Sequence, residues 1–281
     1  MTRERIYSPT PELRHPARLL RDMFSDLASS RELGWRLFVR DTAALYRQTA
    51  LGYFWAVFPP LVSSLVFILL NSANVLNTGD LGMPYPIYVL MGTVFFTLFS
   101  DAMSAPLKIV NASRQLLVKV RFPREALILA AVGQTLLSFS IKVALLVVAF
   151  VLVRTHVAPT LPLVVIPVAG LLLLGIMAGV AIVPLGALYQ DITYGLLIVG
   201  NALMFLSPVG FPPPSSGLLG TITHYNPLTP LLLCCRDLVV TGETTYLAAS
   251  LAIIAVSLVL LGLGWVLFRL AVPIIVERLG S

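Results

Sequence analysis

Charge is what this 281-residue chain has least of. Asp, Glu, Lys and Arg together make up 11% of it, against about 25% in an ordinary soluble domain. Hydrophobic residues make up 58% and mean hydropathy is +0.92. No soluble fold of this size hides so much apolar surface from water. A secreted disulfide scaffold, a disordered tail and a cytosolic enzyme are therefore excluded. Cysteine is nearly missing too: Cys234 and Cys235 are adjacent, which suits neither a disulfide framework nor a zinc site. The lysines are Lys108, Lys119 and Lys142, and none follows a glycine. The chain therefore has no G-x-x-x-x-G-K-[ST] loop and hydrolyses no nucleotide by that route. The histidines (His15, His156, His224) are scattered, with no H-E-x-x-H and no G-x-S-x-G elbow. No catalytic residue, metal or cofactor is expected on this chain. An early apolar core is also lacking: the first fifty residues are polar and Arg-rich, so the first span is expected to be an uncleaved signal-anchor.

What the chain does have is apolar length. A membrane helix takes about 20 apolar residues to cross roughly 30 Å of hydrocarbon. Six spans are expected, near 55–76, 86–107, 126–153, 161–188, 194–210 and 246–268. Nine arginines precede the first, five Lys/Arg lie in 108–125, and Arg269 and Arg278 follow the last; the other side holds only Arg154 and Arg236. That asymmetry puts both termini in the cytoplasm and makes the number of spans even. The net charge of +6 then reports orientation rather than a nucleic-acid partner. The expected organisation is a flexible lead (1–30), an amphipathic interface helix (31–50), a six-span domain (51–270) and a cytoplasmic tail (271–281). The fold class is all-α membrane protein.

Three stretches outside the spans stand out. In residues 31–49, Arg36, Arg40 and Arg47 fall within about 40° of one another at about 100° per residue. Trp35, Phe38, Val39, Leu45 and Tyr46 take the opposite arc. This is the pattern of a helix in the membrane interface, aromatics among the headgroups; a solvated helix packed on its own protein is the alternative. Residues 108–124 read KIVNASRQLLVKVRFPR, a short basic helix ending before Pro123. It suits a cytoplasmic docking helix, attraction to anionic lipid, or both. Residues 211–245 open on Phe211-Pro212-Pro213-Pro214, and their apolar piece 228–240 is too short to span, a length typical of re-entrant segments. Broken backbone at membrane depth survives only against protein or beside a water-filled path, so this region is a candidate for the outer end of a pathway.

Within the spans, Lys142 and Asp101 are the ionisable residues. A charge there costs about 2.5–3.5 kcal/mol on insertion scales. Counted from the expected inner boundaries, their backbones differ in depth by about 15 Å at about 1.5 Å per residue. A direct pair is therefore not expected, and Lys142 is expected to snorkel or face a wet cavity. Aromatics cluster at the span ends: Tyr53, Phe54, Trp55 and Phe58 on the inner side, Tyr85 and Tyr88 on the outer. They form an interfacial belt or, alternatively, offer rings for sugars to stack on. Trp55, Phe205 and Phe211 are the candidates for the second role.

The ordered motifs resemble one family. RELGWRLFVRD (31–41) and YRQTALGYFWA (46–56) resemble the entry of ABC-2 type permeases, the membrane subunits of ABC exporters for O-antigen, capsular polysaccharide and teichoic acid. LVKVRFPRE (117–125) resembles their coupling segment. LYQDI (188–192), FLSPV (205–209), YNPLTPL (225–231) and Arg236-Asp237 follow in the family's order, over roughly residues 31–270. The resemblance implies a homodimer above two ATP-binding subunits that hold ATP and Mg, in the cytoplasmic (inner) membrane. It implies coupling residues Arg114, Lys119, Arg121, Arg124, Glu125, Gln190 and Asp191, with an interface helix carrying Trp35, Arg36, Arg40 and Arg47. Re-entrant gate helices precede the last span, and Trp55, Phe205, Phe211, Tyr225 and Asn226 fall on the substrate path or gate. Gln190 stands where the family often has Arg, and the triple proline is unusual. The expected function is the permease subunit of an ATP-driven exporter of a lipid-linked polysaccharide. An ion-coupled secondary transporter and a membrane-embedded transferase acting on lipid-linked sugars are the alternatives.

Overall fold

The computed structural model describes residues 16–47, 49–75, 79, 81–119, 122–214 and 216–280. Among these every regular element is a helix: α1 (Pro16–Ser29), α2 (Arg31–Arg47), α3 (Phe54–Ser72), α4 (Tyr85–Ala112), α5 (Arg114–Lys119) and α6 (Glu125–Val153). A 3-10 turn (Leu161–Val164) leads into α7 (Val165–Gly186), followed by α8 (Asp191–Leu206), α9 (Gly217–Tyr225), α10 (Leu228–Val240) and α11 (Leu247–Gly280). Among the described residues, five helices are long and apolar enough to cross a membrane: α3, α4, α6, the 3-10 turn with α7, and α11. The expected fifth span is α8, apolar but only 16 residues long, about 24 Å at 1.5 Å per residue.

α4 is the axis of the bundle. Its apolar window is 78% buried, against 17% for α3, α6 and α11. It packs on α7, α6 and α3, while α11 packs on the far side of α7. Between helices in lipid, association depends on close van der Waals packing rather than on expulsion of water, and α7 supplies the small residues for it. A Cβ at Gly175 would lie 2.5 Å from that of Ala102 and 2.6 Å from the Phe99 carbonyl; one at Gly179 would lie 2.5 Å from the Met103 carbonyl. The Gly175-x-x-x-Gly179 spacing therefore lets α7 touch the α4 backbone.

Two sequence expectations change here. The flexible lead contains α1, whose Leu19, Leu20, Met23 and Leu27 recur at helical spacing; Met23 is buried, and Asp26 ion-pairs with Arg269 at 3.0 Å. The arc of α2 expected among headgroups is divided. Leu37 is buried and Phe38 lies over Gly133, while Gly34 faces Leu129. So α2 runs alongside the first turns of α6 in the same direction. Trp35, Val39 and Leu45 remain exposed, and the side chains of Tyr46 and Arg47 lie outside the described residues.

Candidate functional site

α8 stops at Leu206, and a helix end leaves its last carbonyls without intrahelical donors. In a membrane protein those groups must find partners. Here six consecutive carbonyls, 206 to 211, each accept a hydrogen bond. Asn226 Nδ2 donates to Leu206 O (3.2 Å) and to Ser207 Oγ (2.8 Å). Val209 N donates to Ser207 O at 2.7 Å. Arg236 Nη1 donates to Pro208 O (2.6 Å) and Nη2 to Val209 O (2.5 Å). The Tyr85 hydroxyl donates to Gly210 O (2.8 Å), and that of Tyr88 to Phe211 O (3.1 Å). Apart from Val209 N, the donors come from α4 and from the α9–α10 region, so three separate parts of the chain meet at this break.

Arg236 is the centre of this clamp. It is 1% exposed, and no carboxylate among the described residues lies within ion-pair distance of it. A buried cation needs compensation. Two charge-assisted bonds to carbonyls supply part of it, and the Tyr88 ring, 3.8 Å from the guanidinium carbon, supplies a π face. The planar fork suits Arg to this place: its two Nη nitrogens each meet one of two successive carbonyls in a fixed geometry that a point-like ammonium on a flexible stem does not impose. The room comes from Gly92, one turn beyond Tyr88, where a Cβ would overlap both the guanidinium and the Val209 carbonyl. Tyr85 and Tyr88, read as belt aromatics, are thus hydrogen-bond donors as well. Asn226 also accepts from Leu228 N at 3.0 Å, fixing the start of α10.

The expected path residues divide between two places. Phe211 and Asn226 belong to the clamp. Phe205 is 60% exposed beside Phe67, ring centroids 6.2 Å apart. Tyr225 is exposed next to His224. Trp55 is exposed at the opposite end of α3 from Phe67, against Phe58, so one chain does not bring it to the others.

At the other end of the bundle, the basic segment braces the helices it joins. Arg114 donates to Asn111 Oδ1 at 3.0 Å and to the Ala187 carbonyl at 2.9 Å, capping the end of α7. This ties the 114–119 helix to the LYQDI stretch. Arg40 bonds Asp41 at 2.7 Å and reaches Ser113 Oγ at 3.4 Å. Arg36 is exposed and pairs with Glu32 at 2.6 Å. Glu125 is turned inward: it is 4% exposed and meets Arg269 at 3.3 Å, and the same Arg269 holds Asp26. α1, α6 and α11 are thereby joined. Lys119, Gln190 and Asp191 are exposed and Arg124 half-buried. Arg121 lies outside the described residues.

One expectation about the interior is overturned. Lys142 Nζ and Asp101 Oδ2 form an ion pair at 2.6 Å, and Ser138 Oγ donates to the same oxygen at 3.0 Å. α4 runs to Ala112, about five residues past the expected boundary, which removes roughly 7 Å of the mismatch at 1.5 Å per residue. Side chains also lean toward their own helix N-terminus. On antiparallel neighbours the two therefore converge, and the lysine stem covers the rest.

This architecture defines a multi-pass helical membrane protein. No family model matches the chain. It is 25% identical, over 256 residues, to the O-antigen export system permease protein RfbA of Myxococcus xanthus, covering 87% of this chain and 92% of the relative. The ABC-2 type permease resemblance carried by the motifs is borne out by that similarity.

Proposed function

We propose that this chain is the permease subunit of an ATP-driven exporter that moves a lipid-linked polysaccharide, of O-antigen, capsule or teichoic acid type, across the cytoplasmic membrane. It works as a homodimer over two ATP-binding subunits, with both termini cytoplasmic and α8 serving as a short fifth of six spans. The observation that carries the reading is the near full-length similarity to an O-antigen export permease. The geometry supports it. The exposed Lys119, Gln190 and Asp191 offer a polar face, and Arg114 connects that face rigidly to α7. A push there is delivered to α7 and, through the Gly175–Gly179 contact, to α4. α2 is the entry helix, held alongside the first turns of α6, α5 is the coupling helix, and α9 and α10 are the gate helices at the outer end. The chain itself carries transport, and ATP hydrolysis belongs to the partner. The purified chain is expected to hydrolyse no ATP and to form a stable complex with an ATP-binding subunit; appreciable turnover by a clean preparation of the chain alone refutes this.

A second reading has one observation in its favour. The Asp101–Lys142 pair is the kind of intramembrane ion pair that an ion-coupled transporter uses. Transport by the chain alone in liposomes under an ion gradient is its test.

A further inference from the structure

The Asp101–Lys142 pair is uneven in its surroundings. The Lys142 side chain is 5% exposed and that of Asp101 35%. Both hydrogen bonds fall on Asp101 Oδ2, while Oδ1 accepts none from the described residues. Two cavities account for the exposure. One of about 210 Å³ lies between α4 and α8, with Asp101, Ser104, Lys108, Thr193 and Asn201 in its wall. The other, of about 170 Å³, lies between α4, α2 and α6, with Thr42, Asp101, Lys108, Gln134 and Ser138 in its wall. Asp101 and Lys108 line both. The walls are largely apolar, but each carries Asp101, Lys108 and several hydroxyl or amide groups, which gives polar partners and room enough for several waters, each taking about 30 Å³ in the liquid.

The two ends of the pair therefore differ in what release costs. A lone ammonium among apolar side chains is expensive. A carboxylate that opens on water is not. Ser138, one turn below Lys142 on the same face of α6, lines the second cavity and already bonds Asp101. Sliding α6 against α4 by about one turn moves Lys142 toward that cavity, where water replaces its partner.

We propose that Asp101 and Lys142 form a hydrated ionic latch between α4 and α6 that holds the resting permease closed, with the two cavities as the space into which the latch releases. The inference rests on the permease reading above, and it assigns to two positioning residues a role that neither the motifs nor the relative's name assigns.

The test uses the full chain in proteoliposomes loaded with a small anionic dye. The neutral pair, Asp101→Asn with Lys142→Met, leaves no lone charge but removes the ionic attraction. It is expected to leak about tenfold faster than the native chain, within the range that conformational couplings supply. The charge swap, Asp101→Lys with Lys142→Asp, is expected to be as tight as native. A folded neutral pair that stays tight overturns the latch. So does a swap that leaks as fast as the neutral pair, because packing rather than charge is then what matters. Hydration is tested separately with Ser104→Cys, read with a membrane-impermeant charged thiol reagent; Cys234 and Cys235 are fully buried and stay silent. Labelling is expected, and its absence overturns the proposal however the other variants fold. Neither readout uses ATP, an ATP-binding subunit or a polysaccharide, so failure of the exporter reading leaves both results standing.

Discussion

Gly92→Ala is the sharpest perturbation of the outer clamp, because it adds a single carbon at a place where there is no room. The new Cβ would overlap the Arg236 guanidinium and the Val209 carbonyl at once. Neither can yield cheaply: the carbonyl is backbone, and the guanidinium is held by Pro208 O, Val209 O and the Tyr88 ring. Displacing Arg236 breaks two charge-assisted bonds, each contributing about 1.5–3 kcal/mol, which puts the expected loss at about 3–6 kcal/mol. Helix propensity acts the other way, since Ala is favoured over Gly by about 1 kcal/mol in a helix interior. Gly262→Ala in α11 isolates that opposing effect, for a Cβ there meets nothing within 4 Å. The assay is equilibrium unfolding of both variants in mixed micelles. Gly92→Ala should lose several kcal/mol and Gly262→Ala should lose none. Equal behaviour of the two refutes the account of the clamp.

Three further outcomes are expected. Gly175→Val should separate α7 from α4 and destabilise the chain by about 1–3 kcal/mol, the usual cost of overpacking, measured by the same unfolding assay. Arg269→Met leaves Asp26 and the buried Glu125 without their shared cation; it should destabilise by about 3 kcal/mol or more, and Glu125→Gln in the same chain should restore part of the loss. Lys119→Glu, at an exposed position, should leave unfolding within about 0.5 kcal/mol of native but weaken co-purification with the ATP-binding subunit; an unchanged yield of complex removes Lys119 from the docking face.

The spans were legible because membrane-length helices are written in the sequence as long apolar runs with basic flanks. α3, α6 and α7 begin and end close to where hydropathy places them; α11 begins there too, but runs on to Gly280, through the stretch expected as a tail. Boundaries were less legible, and the consequence shows at Asp101. A few residues of extra helix at the basic end of α4, where polar side chains hide the continuing period, decided whether Lys142 could reach it. The basic segment 108–124 was read as one helix; the structure gives its first residues to α4 and keeps α5 for Arg114–Lys119. Glu125 was read as part of a coupling motif, but its partner Arg269 lies 144 positions away, a distance no local pattern reports. The clamp was the least legible element. Its acceptors are mainly backbone carbonyls, which have no side-chain signature, and its side-chain donors come from α4, α10 and the α9–α10 junction. One signal did exist: Arg236 is a lone cation in the apolar stretch 228–240, and such a residue must be paid for by something buried near it. The Gly175-x-x-x-Gly179 contact was also visible in the sequence as spacing, without a partner to give it meaning.

The central claim is that this permease moves a lipid-linked polysaccharide only when a second, ATP-hydrolysing chain drives it. Co-reconstitution of both chains in liposomes holding a lipid-linked polysaccharide measures this directly, by the arrival of glycan at the face opposite the ATP-binding subunit. The account predicts translocation with ATP and both chains present, and none with either chain alone or with a non-hydrolysable nucleotide. Translocation by this chain alone under an ion gradient would contradict it.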